Sequence, residues 1–256
     1  MNMTPRLSIV LLFSILSGCV TTNQNSSFES SQEEAARVNA TLGWRYMQQG
    51  NYDLAMEKLQ RALQQDPNSK DAHNSIALLY DRLGDDKAAD KHYKLALKSG
   101  ANDPVVLNLY GVFLCRHQRF DDAEEKFLAA AKNRVYRTPE AAYANAGVCQ
   151  RSVPNLEKAE EYFREALRSN PRYAQALWQL ADLSFQQERY LQARAFLQRF
   201  MTQSKPTSES LWLGVRVERA LGQTELANEY AQTLRREFPT SVETRALLEN
   251  EDGGSS

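Results

Sequence analysis

Glycine and proline are scarce, at eleven and eight in 256 residues. That is too few for a loop-rich all-β fold or a disordered chain. Histidine is scarcer still: the three are His73, His92 and His117, in no H-E-x-x-H or other ligand spacing. They are expected to be surface polar groups. No G-x-S-x-G, P-loop or G-x-G-x-x-G occurs. Neither sign of charge is in excess, since 31 Lys and Arg against 32 Asp and Glu leave -1. No broad basic field is available for a nucleic-acid backbone. These absences predict a protein that is not an enzyme, with no cofactor, no metal and no nucleic-acid partner. What is abundant is a set of helix formers (Ala, Leu, Gln, Glu, Arg, Lys), which predicts an all-α chain.

The first residues stand apart from that pattern. Arg6 precedes an apolar run at 7–16, too short to span a bilayer comfortably and laid out as a secretory signal. Leu16, Ser17, Gly18 and Cys19 follow, and this stretch resembles the bacterial lipoprotein cleavage signal. The resemblance implies a signal peptide at 1–18 and a lipidated Cys19. Val20, where an Asp would retain such a protein in the inner membrane, implies the outer membrane and its periplasmic face. Several acyl chains anchor stably where one would not. Residues 19–32 are polar, with Glu29 their only charged residue, and are expected to be a flexible tether.

The remainder repeats. Ala55, Ala89, Ala123, Ala159, Ala193 and Ala227 are separated by 34, 34, 36, 34 and 34 residues. Four positions later come Leu59, Tyr93, Phe127, Phe163 and Leu197, with Ala231 the exception. Pro67, Pro171 and Pro239 close three units in the same phase. This is the tetratricopeptide (TPR) signature. The expected fold is an all-α, right-handed superhelical solenoid of six TPR helix-turn-helix units plus a capping helix. The units fall at about 36–69, 70–103, 104–137, 140–173, 174–207 and 208–241, within a solenoid of 33–250. The cap is expected at 241–250, and a disordered tail at 251–256. In each unit a small residue on the first helix lets the backbones close up, and the large residue on the second is expected to fill the space between neighbouring units. Gly50, Gly84 and Gly222 mark turns that need positive φ.

A solenoid of this kind offers a concave groove lined by the first helix of each unit. The phase places Trp44, Met47, Leu78 and Val112, with Asp71, Asn74, Val105 and Asn108 among them, along its N-terminal half. Trp178 and Phe185 form a second apolar strip. Large apolar groups on a wet concave face mark peptide binding.

The stretches Asn108–Cys115, Gln118–Ala123 and Tyr143–Cys149 resemble those of the type IV pilus biogenesis and stability lipoproteins, outer-membrane pilotins with six TPR units. The resemblance implies that the chain binds the pilus secretin subunit, brings it to the outer membrane and permits its multimerisation. A scaffold for cell-wall synthase activation or outer-membrane protein assembly is the other reading of a TPR lipoprotein.

With Cys19 lipidated, Cys115 and Cys149 remain, 34 residues apart on the first helices of consecutive units. An oxidising periplasm favours a bridge where the Cα atoms come within about 7 Å. Two buried free thiols are the alternative.

Overall fold

The computed structural model describes residues 24–153 and 155–252. Among them are thirteen α-helices and no strand, in six antiparallel pairs and a cap. The pairs are α1 (Gln24–Gln48) with α2 (Tyr52–Gln65), α3 (Lys70–Leu83) with α4 (Asp86–Ser99), and α5 (Pro104–Arg116) with α6 (Phe120–Ala131). They continue as α7 (Pro139–Arg151) with α8 (Leu156–Ser169), α9 (Ala174–Gln186) with α10 (Tyr190–Gln203), and α11 (Ser208–Ala220) with α12 (Thr224–Glu237). The cap is α13 (Val242–Asp252), packed on α11 and α12 through fully buried Leu247.

Two boundaries differ from the sequence reading. Helix α1 begins at Gln24, inside the expected tether. Its C-terminal half is held by packing from buried Ala36 and Ala40 onward, and extension back adds one backbone hydrogen bond per residue through a segment with neither Gly nor Pro. Helix α13 likewise runs through 251 and 252, two residues into the expected tail. The signal at 1–18, Cys19 and residues 253–256 lie outside the described residues.

The core is built from the repeat positions, but the large residue closes its own unit rather than the gap to the next. A Cβ placed on Gly111 would meet the Phe127 ring at 2.7 Å, one on Gly147 would meet Phe163 at 2.6 Å, and one on Gly43 would meet Leu59 at 2.5 Å. Each pair lies within one unit, where the missing side chain makes room for the ring or Leu. Unit six keeps the same contact despite Ala231, because Tyr230 slides over Gly214 instead. Of the turns joining paired helices, three use Gly50, Gly84 and Gly222 at φ of 71–80°, while Gln118 and Glu188 adopt the same left-handed geometry without being glycine.

From unit two to unit six, neighbouring units are joined by a polar ladder at the residue after the repeat Ala. Asp90 accepts from the Tyr110 hydroxyl at 2.7 Å and from Arg119 at 2.9 Å. Glu124 accepts from Gln150 at 3.0 Å, Lys158 at 2.6 Å and the Tyr162 hydroxyl. Glu160 pairs with Arg189. Burial alone would raise the pKa of each of these carboxyls, but the bonds they accept outweigh it and hold all three below the ordinary range.

The histidines are not all surface groups. His73 is buried between α3 and the loop before it. Its Nε2–H donates to the Pro67 carbonyl at 3.1 Å, which leaves Nδ1 to accept from His92 Nδ1–H at 3.0 Å. One buried imidazole thus satisfies a loop and a neighbouring helix together. Burial lowers the pKa of both, His92 to about 4.

Candidate functional site: the concave groove

The first helices α1, α3 and α5 stand side by side and leave a depression of about 470 Å³ between them. Trp44, Thr41 and Ala40 of α1 form one wall, Asp71, Asn74 and Ser75 of α3 the floor, and Val105 and Leu109 of α5 the other wall. Trp44 and Val105 are 40% and 51% exposed, so each offers apolar surface that no described residue covers. Leu109 was not among the expected residues. It lies one turn on from Val105, an i, i+4 spacing that puts both on one face.

The mouth of this groove is held by charge. Lys70 bonds Asp103 at 2.8 Å and Asp71 at 3.0 Å, tying the start of α3 to the loop before α5. Burial would lower the Lys70 pKa, but the two carboxylates outweigh it and raise it. Asp103 also accepts from the backbone N–H of Val105 and Val106, and these bonds with Lys70 hold its carboxyl low against burial. The far end is strapped by Arg82, which donates to the Met47 carbonyl at 3.3 Å, and by an Arg116–Asp81 ion pair. The geometry can hold a chain segment with apolar side chains.

Several expected groove residues lie elsewhere. Met47 is a correction: it is fully buried against Leu59, Ile76 and Leu79, because it follows Gly43 by one turn and faces α2 with it. Leu78 is partly buried, packed against the cores of units one to three. Asn108 is tied down, accepting from Asn145 Nδ2 at 3.1 Å. Val112 lines a separate hollow of about 570 Å³ with Val148, Phe120 and the bridged Cys115 and Cys149. Those cysteines form a disulfide with Cα atoms 5.8 Å apart, joining α5 to α7.

The C-terminal strip is half-covered. Trp178 leans on Phe200 with ring centroids 5.6 Å apart, and the Arg216 guanidinium sits 4.2 Å over the Phe185 ring. Open groove surface therefore lies along α1, α3, α5 and α7, with the exposed Trp44 and Val105 in units one and three.

Fold and groove together define the chain as a TPR scaffold for protein–protein interaction, and not an enzyme. The TPR repeat pattern matches residues 43–84, and tetratricopeptide repeat patterns match 71–101 and 154–208. Across 94% of its length, the chain is 31% identical over 244 residues to the type IV pilus assembly protein PilF of Pseudomonas aeruginosa, covering 97% of that protein. The chain belongs to the PilF family. Its fold follows the solved structure of Pseudomonas aeruginosa PilF with a TM-score of 0.76 at 30% identity, covering 86% of this chain and 99% of that one. The structure of PilW, described as a widely conserved type IV pilus biogenesis factor, gives 0.73 at 26%, covering 83% and 98%.

Proposed function

We propose that this protein is an outer-membrane lipoprotein of type IV pilus biogenesis that acts as a pilotin. Lipidated Cys19 would fix it to the periplasmic face of the outer membrane. The groove of units one to three would then take a segment of the pilus secretin subunit, bringing the subunit to that membrane and promoting its multimerisation.

The observation that carries this reading is the open apolar wall of Trp44, Val105 and Leu109 in a chain of the PilF family. An apolar wall inside a concave groove is a surface that a partner's apolar side chains can close. Photo-cross-linking from residue 44 in intact cells, followed by identification of the adduct, tests it. A secretin adduct is expected, whereas an adduct with a cell-wall synthase or an outer-membrane assembly factor would replace this reading with the other.

A further inference from the structure

Antiparallel pairing gives the solenoid two edges. One edge holds the turns within units and the N-termini of the second helices, and the other holds the loops between units. Contacts between successive loops make that second edge continuous: Lys70 reaches Asp103, Asn133 donates to the Asn102 carbonyl at 2.8 Å, and Asn170 donates to Glu140 at 3.2 Å.

The two edges differ in charge along units three to five: the turn edge mixes signs, its acids standing beside Arg82, Arg116, Arg119, Arg151, Lys158 and Arg189, while the loop edge there is cationic. The turn edge has Asp53, Asp86, Asp121, Asp122, Glu157 and Glu225 in helix first turns. Residues 126–139, 166–181 and 189–208, which contain the loops after units three, four and five, hold no carboxylate at all. Those loops present exposed Lys132, Arg134, Arg137, Arg172 and Lys205, none of them in an ion pair among the described residues. Helix C-termini favour cations, but Arg134, Arg137, Arg172 and Lys205 lie in loops past the helix ends, so the macrodipole does not account for them. Glu140 and Glu209 are the nearby acids, and Glu140 is already engaged by Asn170. Val135 stands 77% exposed at the tip of the first of these loops.

The chain also enters on this edge. The first helix of every unit starts there, and α1 runs on past it from Gln24. Cys19 is only five residues further back in sequence.

We infer that the cationic loop edge of units three to five rests on an anionic phospholipid surface, on the same side as the anchor, with the charge-mixed turn edge facing away. This rests on the lipid-anchor reading of Cys19. The exposed cations attract anionic headgroups within a Debye length, and Val135 is placed to dip among them.

The test uses the full-length protein, purified and added to vesicles of phosphatidylcholine with or without phosphatidylglycerol at roughly one part in three. A fluorescent amino acid is placed at Ser169 or at Glu157, at the two ends of α8, about 18 Å apart. A headgroup-borne quencher reads their distance from the lipid. Quenching at 169 should exceed that at 157 several-fold on anionic vesicles. It should fall to parity on neutral vesicles, in salt of about 0.5 M, and in an Arg134→Glu, Arg137→Glu variant or, independently, an Arg172→Glu variant. Equal quenching at both sites on anionic vesicles at low salt overturns the inference and would assign the edge to an acidic protein instead. Mass spectrometry of the same preparation reports acylation of Cys19, so failure of the anchor reading shows in the mass and failure of the orientation in the quenching ratio.

Discussion

Arg194 on α10 grips Glu218 on α11 with two guanidinium nitrogens, Nε lying 2.9 Å from Oε1, and Glu218 is only 2% exposed. The pair occupies the same rung of the inter-unit ladder as Asp90, Glu124 and Glu160, with its charges reversed. In those three units the second helix supplies the acid, and here it supplies the base. A neighbour that offers a base here, as unit three does with Arg119 or unit four with Lys158, would set like charges against Arg194, so this rung selects unit six to follow unit five.

Removing one partner leaves the other charge buried alone. Arg194→Ala, which strands the buried Glu218, should cost about 3–5 kcal/mol, and Glu218→Ala less, because the Arg194 side chain is 24% exposed. The exchange Arg194→Glu with Glu218→Arg should recover a substantial part of that loss. Urea unfolding of the three variants checks this, and a double variant no better than the singles would show the rung to be insensitive to pairing.

Groove and core residues should separate in stability. Phe127→Ala removes a ring packed on Gly111 and should cost about 3–5 kcal/mol. Trp44→Ala with Val105→Ala removes surface that is already partly wet, so melting should shift little while the yield of partner cross-links from a probe at residue 41 falls. If the groove double variant melts as early as Phe127→Ala, Trp44 and Val105 are core residues.

The histidine pair should make the protein less stable in mild acid. Both folded-state pKa values lie below the ordinary 6.5, with His92 at about 4, chiefly through burial, then through His73 and Lys91. Their contribution is complete above about pH 6.5 and is lost as pH falls toward 4; discounted for the part-exposure of His92, it amounts to about 1–2 kcal/mol. Asp66 is the one carboxylate that favours charging His73. Melting curves at pH 7 and pH 5 should differ less in His92→Asn than in the parent. An unchanged difference would place the acid sensitivity elsewhere.

The disulfide should be worth about 3–4 kcal/mol by loop entropy. Reduction, or Cys115→Ser with Cys149→Ser, should therefore lower the unfolding midpoint, and thiol quantification of the denatured, unreduced protein should find neither cysteine free. Two free thiols in protein from an oxidising compartment would contradict it.

The fold was legible because its instruction is periodic. A 34-residue spacing of Ala and a large residue sets both helices of a unit, and no tertiary accident is needed to read it. Leu59 against Gly43 and Phe127 against Gly111 were visible as residue types, but not that each pair closes a single unit. The groove was legible only in part. Trp44, Asp71, Asn74 and Val105 line it, whereas Met47 is buried, since one step of helical phase, about 100°, separates a groove wall from a helix interface. Tyr230 taking over from Ala231 could not be read from the repeat pattern, because the substitution crosses to a neighbouring position. The extent of α1 was hidden because polar residues do not announce whether a helix already under way will continue through them.

The Cys115–Cys149 bridge has a mechanical consequence. A chain pulled by its two ends cannot extend the stretch between the bridged residues, whose separation is 34. Stretched to its limit, the oxidised protein should be shorter than the reduced one by roughly 110–120 Å. Units one to three and units four to six would then yield as two separate lengths of rope on either side of a knot.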